Sequence, residues 1–474
     1  MIKYGFPAFF IFNLQTTWFI YEVQESFITK FMSAGPAIVL NATFMTIAFA
    51  LFHATRAWIG RKEGYFALIA YWIAWEFLHL NWELSWPWLT LGNVFSIRPN
   101  WVQWYEYTGI LGGSIWILVI NLFIFKSFRN YIQDQLNWKI FFIKLFFLFV
   151  PFFAMGYFLK NRLLTELKKV DIVLVQPNID PYNEKFTYDK NLPQLEKMLV
   201  LAAEKITPET DLVLFPETAL QEPTYIFPKG AEFGFQGLWE NNIETSKSVI
   251  LIRQFLRDYP NLTLIFGLSS DRLQAEDEPK VPASRYLAKA KVYYQTYNAA
   301  LVIGKNRRVG FYHKSKLVPA VESMPMQWLL EPLADVIYNM GGTSGSLGIQ
   351  EDQVPFYFGD SIGISPAICY ESIYGEVFSE FISNGADIIG IITNDGWWGD
   401  SPGYKQHFSY ARLRAIESRK WVARAANTGI SGFINPRGEV VEKSTWWVPA
   451  VLSRTISTND SHTFYIKYGD YLGR

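Results

Sequence analysis

Five apolar stretches crowd the first 160 residues of this chain, at about 5–21, 37–56, 65–80, 108–125 and 140–159. Each is near the ~20 residues that an α-helix needs to cross a bilayer. Runs this long and this hydrophobic do not fit ordinary core helices, which are shorter and keep a polar face. Membrane helices are therefore the expectation for the first third of the chain. An aromatic content of 18%, with Phe, Trp and Tyr concentrated toward that end, fits the same reading.

Lys and Arg are unevenly shared among the short loops between these stretches. Arg56, Arg61 and Lys62 follow the second, and Lys126, Arg129 and Lys139 follow the fourth, whereas only Lys30 and Arg98 follow the first and third. Positive loops mark the cytoplasmic side, so five crossings from a cytoplasmic start deliver the rest of the chain to the outer side. Lys160, Arg162, Lys168 and Lys169 run against that rule, which long domains override. The opening stretch lacks a small-residue cleavage site and reads as an uncleaved span. Lys plus Arg equals Asp plus Glu at 43 each, so no basic surplus points to a nucleic-acid partner.

From "VDIVLVQPNI" (170–179) the texture changes to short β-rich runs alternating with helical ones. "DLVLFPE", "LTLIFGLSS", "NAALVIG", "SIGISPAIC", "DIIGIITND" and "GISGFINPRGEVV" read as strands. Helices are expected near 243–257, 371–384 and 404–420. This pattern predicts a layered α/β domain. "SDRLQAEDEPKVPASRY" inside it reads as an exposed insertion. The boundaries expected are a transmembrane helical domain over 1–165, an α/β domain over 166–460, and a tail over 461–474 leading toward a possible further span.

The only cysteine, Cys369, sits where "IGISPAIC" runs into the helical pattern "YESIYGEVFSEFISNG". Catalytic groups in α/β sheets gather at strand carboxyl ends, and a helix start there favours a thiolate. A structural cysteine packed between sheet and helix fits the placement equally well. Glu217, directly after Pro216 in "LVLFPETAL", stands at another strand end and has the chemistry of a general base in a partly apolar pocket. Lys314 and Lys316 in "FYHKSKLVPAVESMP" alternate along an expected strand, so both face one side and spacing does not choose between them. A lysine beside a thiolate stabilises it, and later the oxyanion of an attacked carbonyl.

"FPET" with Glu217, "YHKSKLVP" with Lys314 and "ICYE" with Cys369 resemble the Glu-Lys-Cys motifs of the nitrilase (carbon-nitrogen hydrolase) superfamily. Within it, "YxKxxLVP", the following Glu322, Tyr370 and Glu371 of "CYE", and "TNDGWWG" with "QHFSYARLRAIE" are similar to the apolipoprotein N-acyltransferases. Polytopic helices ahead of the domain match that family, so the resemblance covers nearly the whole chain. It implies a polytopic α-helical membrane domain followed by a nitrilase-like α-β-β-α sandwich. It also implies Lys314 over Lys316 as the catalytic lysine, with Glu322, Tyr370 and Glu371 as supporting residues. The family usually has "LVPFGE" where this chain has "LVPAVE", and a Trp where "QPNIDPYNEKF" has Phe186. Phe186, Trp397 and Trp398 are the substrate-binding candidates.

The resemblance further implies a monomeric enzyme in a bacterial inner membrane, its catalytic domain periplasmic, needing no metal or organic cofactor. Its acyl donor is a membrane phospholipid and its acceptor the N-terminal amine of an S-diacylglyceryl-cysteine apolipoprotein. Two alternatives stand beside it: a membrane-tethered amidase of the same superfamily, and an inactive lipid- or lipoprotein-binding protein. Glu76 and His79, polar groups inside the third apolar stretch, remain outside the expected site.

Overall fold

The computed structural model describes residues 2–23, 27–187, 190–229, 232–330, 346–359 and 361–474. Five helices occupy the five apolar stretches: α1 (Ile2–Thr17), α2 (Phe27–Trp58), α3 (Arg61–Leu80), α4 (Tyr105–Ile132) and α5 (Trp138–Asn161). Among the described residues, three segments, Ala34–Trp58, Tyr105–Ile132 and Trp138–Asn161, are long and apolar enough to cross a membrane. The 16 residues of α1 reach only ~24 Å at 1.5 Å per residue, short of a ~30 Å hydrocarbon core. α3 has the length but carries Arg61, Lys62, Glu63, Glu76 and His79. Both of its inner polar groups are partnered. Glu76 accepts from the Trp72 indole at 3.0 Å and the Leu91 amide at 2.8 Å, and His79 bonds Asn41 at 2.8 Å.

The tryptophan-rich segment between α3 and α4 folds into short 3₁₀ turns that dock on the second half of the chain. Trp88 donates to Gln406 at 2.6 Å and its carbonyl accepts from Tyr410 at 3.0 Å, while Ser96 and Ser409 share a 2.9 Å bond. Glu106 at the start of α4 binds Arg162 at 2.9 Å and also takes the buried Arg419 guanidinium. Membrane and α/β halves are thus joined through buried polar contacts.

The strands of the second half are β1 (Glu166–Gln176), β2 (Leu212–Leu214), β3 (Tyr225–Lys229), β4 (Glu232–Gln236), β5 (Thr263–Leu273), β6 (Arg285–Leu287), β7 (Val292–Gly304), β8 (Arg307–His313), β9 (Phe356–Phe358), β10 (Ile362–Ile368), β11 (Ile388–Thr393), β12 (Val422–Ala426), β13 (Gly432–Ile434), β14 (Val440–Lys443) and β15 (Ala450–Asn459). One sheet runs β15-β1-β2-β5-β7-β6 with β8 also on β7. A second runs β14-β13-β12-β11-β10-β9, and β3 pairs β4 apart from both. Central neighbours such as β10 and β11 are parallel, edges antiparallel. The expected insertion at 270–286 is part strand, because β5 continues to Leu273 and pairs with Tyr294 of β7.

Alternation along the strands builds two cores. Ile172, Leu174, Leu212 and Leu214 face the second sheet, packing with Ile364, Ile389 and Ile391. Their neighbours Val173, Val175, Val213 and Phe215 face α6 (Asn191–Ala203) and α7 (Lys247–Phe255) through Leu195, Met198 and Ile252. Period-2 side chains with both faces buried give the near-continuous apolar runs seen in the sequence. Helices α8 (Gly375–Ser383) and α9 (Pro402–Ser418) cover the outer face of the second sheet, completing an α-β-β-α sandwich. The tail forms a short helix, α10 (Phe464–Tyr468), whose Tyr465 ring sits at the Gly109 kink of α4. A Cβ on Gly109 would lie 2.2 Å from that ring, and its φ of +59° favours glycine as well.

Candidate active site

Strand ends of both sheets meet around Cys369. β10 ends at Ile368, and Cys369 opens a 3₁₀ turn to Ile373. Its φ is +49°, a left-handed conformation that costs a β-carbon residue on the order of 1–3 kcal/mol and turns the side chain out of the strand direction. Glu371 holds that turn in place. Its carboxylate accepts from the Ile368 amide at 2.7 Å, the Tyr312 hydroxyl at 2.6 Å and the Ser315 amide at 2.7 Å. The cysteine turn and the segment carrying Lys314 are therefore fixed by one carboxylate.

Glu217 follows β2, and Lys314 lies one residue past the end of β8. Lys314 Nζ sits 2.9 Å from Glu322 and 3.5 Å from Glu217. Asn298 on β7 bridges the two acids, its Nδ2 donating at 2.8 Å to Oε1 of each. The second oxygen of Glu217 accepts from the Asn394 amide at 3.1 Å, and that of Glu322 from Val318 at 2.8 Å. Glu217, Lys314 and Asn298 in this acid-ammonium-acid row are buried, and the charges of Glu217 and Lys314 act on the Cys369 thiol. Strand alternation does not extend to the two lysines, because β8 stops at His313. Lys314 turns into the buried row, while Lys316 lies 5.5 Å over the Tyr374 ring.

The electrostatics modify the expected resting thiolate. Burial first, then the Glu217 charge, pushes the Cys369 thiol up, against the pull of Lys314. Lys314 itself is lowered by burial, but Glu322, Glu217 and Cys369 together outweigh that and raise it. Desolvation of the sulfur and the Glu217 charge thus hold Cys369 toward the thiol form, against the pull of the Lys314 ammonium.

Three groups in the site escaped the sequence reading. Lys185 is buried and donates to the Glu217 main-chain oxygen at 3.0 Å; burial lowers it to about 8 against the raising pull of Glu217 and Cys369. Asn298 is the second. Behind Cys369 lies the third, a chain in which Asp395 meets His407 Nδ1 at 2.8 Å and His407 Nε2 meets Ser372 at 2.9 Å. Ser372 in turn donates to the Cys369 carbonyl at 2.6 Å. Burial would raise Asp395, but Arg424 at 2.7 Å and His407 hold it well below the usual carboxylate range. All three lay within quoted strand or motif segments, yet a buried Lys, Asn or His carries no periodic signal of its own.

The aromatic candidates separate. Trp397 stacks on the exposed Phe186 at 6.3 Å and its carbonyl accepts from Tyr182 at 2.8 Å. Trp398 packs edge-on to Phe19 and Trp88, each at 5.5 Å, beneath the membrane half. Tyr370 donates to the Ser85 carbonyl at 2.9 Å. Among the described residues, no group of three or more His, Cys, Asp or Glu is placed to hold a metal.

Residues 172–464, well over half the chain, match the carbon-nitrogen hydrolase family. The chain belongs to the carbon-nitrogen hydrolase family. Residues 1–123 of this carbon-nitrogen hydrolase match the apolipoprotein N-acyltransferase N-terminal domain. Similar proteins include the apolipoprotein N-acyltransferase of Chlorobaculum tepidum, 27% identical over 94% of this chain and 80% of that protein. That of Pseudomonas aeruginosa is 26% identical over 98% and 82%. Among solved structures, a branch 10 nitrilase-superfamily protein of Saccharomyces cerevisiae aligns with 63% of this chain and 92% of its own at 14% identity, TM-score 0.41. The two matched domains in this order fit lipoprotein N-acylation, and with the three apolar helices they mark a membrane protein.

Proposed function

We propose that this carbon-nitrogen hydrolase transfers a fatty acyl chain from a membrane phospholipid to the N-terminal amine of an S-diacylglyceryl-cysteine lipoprotein, through a thioester on Cys369. The observation that carries the reading is the acid-ammonium row of Glu217 and Lys314 beside the lone thiol, in a chain with membrane helices and relatives named for this reaction.

Glu217 takes the Cys369 proton as sulfur attacks the donor's ester carbonyl, which suits a thiol protonated at rest. Lys314, with backbone N–H groups at the start of the following turn, stabilises the oxyanion. Collapse breaks the ester C–O bond, and the lysophospholipid oxygen leaves with the proton from Glu217. The acceptor amine then attacks the thioester and passes a proton to Glu217, and as the C–S bond breaks Glu217 hands that proton to the departing sulfur, giving an amide, the thiol and the starting carboxylate. Glu322 and Asn298 keep Lys314 and Glu217 in register, and Phe186 with Trp397 forms an aromatic rim suited to acyl chains. We place the α/β half on the periplasmic face of an inner membrane, following the positive loops.

The test is turnover in vesicles containing labelled phospholipid and a diacylglyceryl-cysteine peptide. N-acylated peptide is expected. Free fatty acid as the main product would favour the amidase, and binding of the lipopeptide without turnover, undiminished in Cys369→Ala, would favour a binding protein.

A further inference from the structure

A cavity of about 560 Å³ opens between α3, α4 and α5. It lies at the far end of the bundle from the α/β half. Contacts to that half come from the turn after α1, the end of α5, the loop after α3 and the first turn of α4, whereas the cavity is lined by the first turns of α3 and the later turns of α4. Lys126 is ~30 Å along α4 from Tyr105 at 1.5 Å per residue, about the thickness of a hydrocarbon core.

Its lining has two characters. Phe66, Leu122, Phe147 and other apolar side chains form the walls. Lys62, Lys126 and Lys144, one from each helix, stand around them, with no acid among the described lining residues. Lys126 Nζ lies 4.5 Å from the centre of the Tyr65 ring, and Arg56 lies 5.9 Å from the same ring. Tyr65 lines the cavity, is buried, and its hydroxyl has no hydrogen-bond partner among the described residues. Exposed ammoniums lining one cleft repel one another unless an anion joins them, and Lys stems reach along apolar walls to place charge at the membrane interface.

We infer that this cleft binds an anionic phospholipid of the leaflet opposite the active site, with the phosphate among the three lysines and an acyl chain along the apolar wall. Soluble phosphate uses only the cations, and a zwitterionic lipid offers them no net charge. Basic pockets between membrane helices suit anionic headgroups for this reason. The inference is independent of any role for Cys369.

The test uses the full chain in nanodiscs holding phosphatidylglycerol and phosphatidylcholine in equal amounts, with retained lipid counted by native mass spectrometry. Wild type is expected to retain phosphatidylglycerol about tenfold over phosphatidylcholine, within the ~1 kcal/mol that each basic residue contributes near anionic headgroups. Lys62→Gln/Lys126→Gln/Lys144→Gln is expected to lose the preference. Leu122→Trp, which keeps every charge but fills the wall, is expected to release the lipid as well. Melting temperature and acyl transfer identify misfolded variants, for which Lys144→Gln alone, on an exposed position, is substituted. Equal retention of the two lipids by wild type, an undiminished preference in the lysine variant, or full retention in Leu122→Trp overturns the inference. So does displacement of the lipid by millimolar inorganic phosphate.

Discussion

The hydroxyl of Tyr370 donates a 2.9 Å hydrogen bond to the main-chain oxygen of Ser85. Tyr370 is the residue after the thiol, and Ser85 belongs to the loop between α3 and α4. Tyr374 adds a 2.8 Å bond to the Ser85 hydroxyl. The turn that presents Cys369 is thereby braced by the membrane half. Removing one such bond costs about 1 kcal/mol and leaves a buried carbonyl unpaired. Tyr370→Phe is expected to lower kcat/KM about fivefold with little change in expression, measured as acyl transfer in vesicles. Unchanged kcat/KM would show that the brace does not position the thiol.

Glu322 and Glu217 share one ammonium, and the shorter contact belongs to Glu322. Glu322→Gln keeps the volume but leaves the buried Lys314 with Glu217 alone. Breaking a buried pair costs about 3–5 kcal/mol. A melting temperature lowered by several degrees and acyl transfer reduced at least ~100-fold are expected, the latter corresponding to ~3 kcal/mol of transition-state stabilisation. Because Lys314 is raised in the folded protein, its stabilisation is fully present below the ordinary lysine range. The defect should therefore be constant from pH 6 to 9.

Burial and Glu217 raise the Cys369 thiol and hold it toward the protonated form. The rate of iodoacetamide alkylation of Cys369, followed by mass spectrometry, should keep climbing past pH 9. A plateau below pH 8 would mean a preformed thiolate and a different role for Glu217.

Asp470 behind α10 and Glu417 on α9 are buried, and desolvation raises each to about 7. An acid raised on folding binds its proton more tightly in the native state, so stability falls as pH climbs from the ordinary carboxylate range to about 7 and then levels. Asp470→Asn removes part of that loss. Its stability should exceed that of wild type at pH 8 and converge with it below about pH 4, where Asp470 is protonated in folded and unfolded chains alike.

The lengths and apolarity of the early stretches reported the helices, and the near-continuous apolar runs in "DIIGIITND" and "SIGISPAIC" reported β11 and β10, because burial of both sheet faces leaves a direct mark on residue type. The same logic failed at Lys316. Alternation is a property of strands, and β8 ends before either lysine. The site beyond the motifs was illegible for a related reason. Lys185, Asn298 and His407 acquire meaning only when distant strand ends converge, and nothing local in "NEKF" or "TYNAA" announces that Glu217 will be the neighbour of both.

The central claim is that the sulfur of Cys369 carries the acyl chain. Intact-mass analysis of the protein incubated with phospholipid, without acceptor, tests it most directly. One added fatty acyl group is expected in wild type, mapped to Cys369 and absent from Cys369→Ala and Glu217→Gln. No adduct in wild type that turns over normally, or the same adduct in Cys369→Ala, would contradict it.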